Sequence, residues 1–204
     1  ERHRGPSGEG LNARRRALSL SAMPRPRTLP DPFVALLREL PGYTALMTNY
    51  TRCPSCEKCE RSVVYLTPRE QMNADRAGLR TYGSGAAARL NRAGCKCPFY
   101  APDTFQCTAY LERPLICNLF PMDLLERERD GRHWWVLFGA CDEVRLGRLK
   151  GKLAAFRRLA RRIDARMPLD LKRSLVADAA GAVPEPGFYD FPIHWLVPVG
   201  GMQP

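Results

Sequence analysis

The chain has 204 residues and is 45% hydrophobic, enough for one buried core, and no apolar run reaches the length of a membrane span. Its net charge of +11 points to a polyanionic partner only until the charge is mapped. Residues 1–27 hold seven arginines against two glutamates, and residues 145–173 hold eleven Lys or Arg against Asp164 and Asp170. What remains is slightly acidic, so the basic charge belongs to one arm and one helix.

Residues 1–27 are rich in Arg, Gly, Ser and Pro and cannot bury enough apolar area to order themselves. They read as a disordered basic leader, or as a start placed upstream of a true one at Met23. Leu18, Leu20, Ala22 and Met23 are too few for the apolar core of a secretory signal, which makes a cytoplasmic location the expectation. Asp31-Pro32 then opens a short helix with Phe33, Leu36, Leu37 and Leu40 on one face, stopped by Pro41-Gly42. Ser62 to Leu66 reads as a strand. Thr67-Pro68-Arg69-Glu70 has the spacing of a capping box with proline in the first turn, so a helix is expected over 67–76. Gly78 to Gly94 is loop-rich, with three alanines that add at most a helical turn.

Leu124–Arg129 and His133–Phe138 flank Asp130-Gly131, a hairpin turn signal. From Val144 to Met167 the pattern is helical: Leu149, Leu153, Phe156, Ala160, Ile163 and Met167 form an apolar stripe beneath a basic face. Pro168 ends it, and 169–180 is a shorter helix. The domain is expected to run from 28 to 183. Residues 184–204 form a Pro- and aromatic-rich tail whose Phe188, Tyr189, Phe191 and Trp195 pack back over it.

Eight cysteines carry the chemistry. Cys53, Cys56 and Cys59 stand at two successive two-residue gaps, the spacing of a loop that wraps a metal or a cluster. Cys95, Cys97, Cys107, Cys117 and Cys141 follow in turn-dense sequence, enough to complete two four-thiolate sites. A zinc site takes two ligands from one such knuckle and two from another. The triple spacing therefore favours an iron–sulfur cluster, with a remote cysteine as fourth ligand; zinc or mononuclear iron are the alternatives. Disulfides are the competing use of the thiols, disfavoured where the cytosol keeps them reduced. A buried apolar role competes for Cys95 and Cys141, which have no ligand spacing of their own.

Leu66-Thr67-Pro68-Arg69-Glu70 resembles a stretch of the YkgJ-type cysteine-cluster proteins. So do Gly94-x-x-Cys97-Pro-Phe-Tyr100, Cys107-Thr-Ala-Tyr110-Leu-Glu-Arg113-Pro-Leu-Ile-Cys117, Phe120-Pro121 and a cysteine after a hairpin at Cys141. The resemblance covers about residues 50–145. It implies a zinc- or iron-chelating protein, or one carrying an iron–sulfur cluster of the 4Fe-4S type, and a similar module occurs in flagellin lysine-N-methylases. By that match Cys53, Cys56, Cys59, Cys97, Cys107, Cys117 and Cys141 are ligand candidates. One departure stands out: the family's first motif closes with adjacent cysteines, whereas Cys59 is followed by Glu60. Cys95 is additional and restores the count to eight.

Arg113 has a reading of its own as a cofactor-binding cation, because a guanidinium offsets thiolate charge and hydrogen-bonds sulfur. His133 and His194 read as packed or exposed residues rather than ligands, and His3 lies in the leader. There is no recognisable catalytic triad, phosphate loop or dinucleotide fingerprint. The expected fold is α+β: a small, irregular, metal-organised domain with a short hairpin and a long C-terminal amphipathic helix. The function expected is cytosolic metal binding with a structural, redox or metal-handling role and a protein partner. The alternatives are a cluster-dependent enzyme modifying a partner protein, methylase-like or redox, and a zinc-stabilised nucleic-acid-binding module using the basic helix.

Overall fold

In a computed structural model of the chain, residues 30–48, 63–92, 94–103, 106–139, 141–181 and 192–202 are described. The expected leader lies outside them. Helix α1 spans Phe33–Glu39 and ends where Leu40 turns extended ahead of Gly42, at φ +87°. Phe33, Leu37 and Leu40 are buried as the pattern requires, but Leu36 is 47% exposed and Val34 takes its place. A π-helical turn at Thr44–Thr48 follows.

The strand expected over 62–66 is not formed among the described residues. Tyr65 makes an isolated bridge to Arg89, flanked by Leu66 N–H to Ala88 O and Leu90 N–H to Val64 O, each 2.9 Å. Tyr82 bridges the other side of Arg89, so the partner segment is shared between two neighbours and too short to extend either ladder. Helix α2, Pro68–Arg76, starts from the expected capping box: the Thr67 hydroxyl accepts the Glu70 amide and the Glu70 carboxylate accepts the Thr67 amide. The three alanines contribute a single 3-10 turn at Gly85–Ala87.

Two short strands, β1 (Tyr100–Ala101) and β2 (Gln106–Cys107), pair antiparallel. After helix α3 (Leu115–Leu119) comes the expected hairpin, β3 (Met122–Arg127) and β4 (Arg132–Phe138), in antiparallel register from Met122↔Leu137 to Arg127↔Arg132. The turn consumes Glu128 and Arg129, so β3 starts and ends two residues earlier than its pattern suggests. Arg127 and Asp130 pair across the turn, and that pairing holds the Asp130 carboxyl down at about 2. The last part of the tail is a third strand, β5 (Ile193–Pro198), on the other edge of β4. Phe188, Tyr189 and Phe191 lie outside the described residues, while Trp195 meets Trp134 edge-on at 6.3 Å.

The helix expected from 144 to 167 is interrupted. A one-turn helix α4, Asp142–Arg145, ends in Gly147 at φ +71°, with Gly147 N–H to Val144 O and Arg148 N–H to Glu143 O. That pair of bonds is the Schellman stop, and it needs the left-handed conformation that glycine adopts at least cost. The amphipathic helix proper, α5, is Leu153–Arg166 and is followed by α6, Leu169–Gly181. Phe156, Ala160 and Ile163 of the expected stripe are buried in α5, together with Leu159. Arg157, Arg158, Arg161, Arg162 and Arg166 face solvent.

The α+β fold is thus a three-stranded antiparallel sheet, ordered β3-β4-β5, with helices over one core. Trp135, Leu137, Leu124, Phe156 and Ile163 sit at its centre, each at most 1% exposed. One polar knot closes it. The Asp164 carboxylate of α5 accepts Trp135 Nε1–H at 3.1 Å and Gly200 N–H at 3.0 Å, and pairs with the buried Lys172 of α6 at 2.9 Å. Lys172 Nζ also donates to Gly200 O at 3.0 Å. The chain's return also needs space at Gly139, where a Cβ would lie 2.4 Å from Pro192 O. Removing one member of a buried ion pair leaves the other charge desolvated. Asp164→Ala is therefore expected to cost about 3 kcal/mol in urea unfolding followed by tryptophan fluorescence, whereas Arg157→Ala on the exposed face of the same helix changes the midpoint little.

Candidate metal centre

A second, smaller apolar cluster lies beneath the cysteine-bearing segments: Val64, Leu66, Ala74, Ala88, Leu90, Cys97 and Tyr100, with Phe99, Ile116 and Cys117 against it. The loops above it contain few regular hydrogen bonds, so their placement depends on side chains that reach across the sequence. Glu70 is the chief of these. Its Oε2 closes the capping box on Thr67, and its Oε1 accepts two remote amides, Asp31 N–H at 3.0 Å and Leu115 N–H at 2.6 Å. Leu115 opens α3, whose cap residue Pro114 offers no side-chain acceptor. A carboxylate from another helix therefore satisfies an amide that a helix start leaves orphaned.

Asn118 holds the same turn from its other end, donating from Nδ2 to Arg113 O at 2.7 Å and to Pro114 O at 3.0 Å. Its own carbonyl accepts the Tyr43 hydroxyl at 2.9 Å. The Arg113-to-Cys117 segment is thereby pinned at both ends, and Cys117 sits half-buried against the smaller cluster.

Cys107 ends β2 opposite Tyr100 and is half-buried. Burial pushes its thiol up from the usual value, while a hydrogen bond from the Ala109 amide and the Arg113 charge pull the other way. The amide two residues on and the guanidinium offset part of the cost that burial places on a thiolate here. The Arg113 guanidinium stacks on Tyr110 at 4.2 Å, and its buried Nε has no hydrogen-bond partner among the described residues. Cys97 is buried in the smaller cluster and Cys95 is exposed. Asn91 ties Cys95 to the chain leaving the first cysteine loop: its Oδ1 accepts Val64 N–H at 2.9 Å and its Nδ2 donates to Cys95 O at 2.7 Å. Cys141 is buried in the larger core at the start of α4.

Cys53, Cys56, Cys59 and Glu60 lie outside the described residues. Among the described residues no three His, Cys, Asp or Glu side chains converge on one metal position. Of the five described cysteines, Cys97 and Cys117 lie with the smaller cluster and Cys141 in the larger core, while Cys95 is exposed and Cys107 belongs to neither. His133 and His194 both lie in the three-stranded sheet, half-buried on β4 and β5. Sequence reading missed Glu70's reach to α3, and the roles of Asn91, Asn118 and Tyr43. The capping box signalled the first, but ordinary Asn and Tyr residues carried no signal.

Against known proteins the match lies in this same region. Residues 52–136 match the CxxCxxCC family, described as a "Putative zinc- or iron-chelating domain". That is the cysteine-cluster family which the motifs resemble, and it spans the middle of the chain, less than half its length. Neither a curated protein nor a solved structure gives a significant match. Among the described residues no helix is long and apolar enough to cross a membrane.

Glu70 gives the region a measurable signature. Burial, with a smaller push from Asp31, raises its carboxyl from 4.5 to about 7 against the pull of three amides. The folded chain therefore keeps a proton that the unfolded chain releases above 4.5, so this stabilisation is complete below 4.5 and lost as pH rises through 7. At fixed metal content, wild-type stability is expected to fall over that window by up to about 1.4 kcal/mol per pH unit. In Glu70→Gln that slope disappears. Glu70→Ala orphans three amides and is expected to cost on the order of 3 kcal/mol, read by chemical unfolding.

Proposed function

We propose that the chain is a metal-binding protein whose cysteine thiolates hold an iron–sulfur cluster, with zinc or mononuclear iron as the alternative occupant. The observation that carries this is Cys107, a half-buried sulfur accepting the Ala109 amide next to the Arg113 charge, within the family-matched segment. The donor set fits soft-metal chemistry, since thiolates select zinc and iron–sulfur centres over hard cations. Cys97, Cys107 and Cys117 supply ligands from the described segments, and Cys53, Cys56 and Cys59 supply the rest, with Cys95 and Cys141 completing eight. Five cysteines that do not converge alone need the Cys53–Cys59 loop to close a site. Asn91 supports that requirement, because it binds both the exit of the loop at Val64 and the Cys95 carbonyl.

The second sphere in this reading is Arg113, which offsets the charge of an anionic centre in a partly buried place. The role is structural, redox or metal-handling, and the exposed arginines of α5 offer an acidic protein partner its docking face. Metal binding is coupled to folding, because the cysteine loops have little apolar core beyond the smaller cluster.

Anaerobic purification followed by a visible spectrum and iron, zinc and sulfide analysis tests the reading. A brown protein with iron and acid-labile sulfide is expected. A colourless protein with stoichiometric zinc and no sulfide replaces the cluster by closed zinc sites, and a protein with neither metal overturns the proposal. Cys107→Ser is expected to lose most of the bound metal. Cys95→Ser, which the family pattern does not require, separates an eight-cysteine set from a seven-cysteine one by the same analysis.

A further inference from the structure

We propose that a cavity between the end of α1, the Thr44–Thr48 turn and the Arg113 turn binds a small oxyanion, a phosphate or a carboxylate. The cavity measures about 230 Å³, below the roughly 300–1,000 Å³ of sites for drug-sized ligands, so its occupant has only a handful of non-hydrogen atoms. Arg38, Arg113, Tyr43, Tyr110 and Thr44 line it, with Met47 and Asn118 completing the wall. No carboxylate is among the described residues that line it. A small cavity to which the described residues contribute two guanidiniums and no acid favours negative charge.

Three details aim those charges. Tyr43 is pushed up by burial and pulled down by Arg113 and then Arg38, which places both positive groups toward one phenol. The Tyr43 hydroxyl hydrogen is committed to Asn118 O at 2.9 Å, so the phenol stays neutral and the ligand's donors are the guanidiniums. The Arg113 plane is set by its stacking on Tyr110 at 4.2 Å, and its buried Nε has no partner among the described residues. The outer edge of a guanidinium meets two oxygens of a carboxylate or a phosphate with two parallel bonds. The turn that carries Arg113 is held by Glu70 and Asn118, so the donor is presented by a fixed backbone rather than a loose loop.

The cavity adjoins Cys107 through Arg113, yet its binding chemistry requires no metal. The two proposals can therefore fail separately. The probes are inorganic phosphate and malonate, titrated separately by calorimetry into the full chain as purified, at constant ionic strength, with metal measured on the same sample. Saturable binding of one of them with a Kd near or below about 1 mM is expected, and which one binds identifies phosphate or carboxylate as the ligand chemistry. Arg38→Gln, an exposed position, is expected to weaken it at least tenfold with metal content unchanged. Arg80→Gln, a cation outside the cavity, leaves it as in wild type. No saturable heat with either probe up to about 10 mM overturns the proposal, as does wild-type affinity in Arg38→Gln or an equal loss in Arg80→Gln.

Discussion

The cysteine-bearing half of this protein depends on one carboxylate. Glu70 is completely buried and accepts amides from three places far apart in sequence: its own cap at Thr67, the lead into α1 at Asp31, and the start of α3 at Leu115. A buried carboxylate is costly unless it is fully hydrogen-bonded, and here the amides supply the compensation while the carboxylate fixes three backbone segments. The short α3 has too few turns to be stable on its own propensity. What sets its position, and with it Arg113 and Cys117, is a bond from another helix.

The described residues form two apolar regions of unequal strength. The larger one is ordinary: a sheet, the amphipathic α5 with α6 beside it, and a buried Asp164–Lys172 pair whose carboxylate also binds the indole of Trp135. The smaller one contains Cys97 among its buried residues and leans on side-chain hydrogen bonds from Asn91, Asn118 and Glu70. Such a region spends polar interactions on positioning loops, and gains only limited stability from burial. That is the economy expected where loops must present thiols and a guanidinium at defined places.

The hairpin, the capped helix over 68–76 and the stripe on the long helix were legible because each is written in local chemistry. Asp130-Gly131 suits the tight turn, Thr67 and Glu70 satisfy each other's amides, and Phe156, Ala160 and Ile163 follow the helical period. The break at Gly147 was also written there, but the apolar stripe runs across it at nearly unbroken spacing and hides it. The strand at 193–198 was not legible. Its Pro and aromatic content suits an edge strand or a packed tail equally, and only the vacant edge of β4 decides between them.

The sequence by itself determined the class of chemistry. Thiols at two-residue gaps and the Cys107-to-Cys117 motif resemble the cysteine-cluster pattern whatever the fold around them, since the donor atoms on offer are a property of side chains. Tertiary structure alone decided the neighbourhood: that Arg113 lies between Cys107 and a cavity shared with Arg38 and Tyr43, and that Glu70 and Asn118 hold it there. Those contacts join residues up to 75 positions apart. No local pattern encodes them, because they arise only when separate elements pack against a common core.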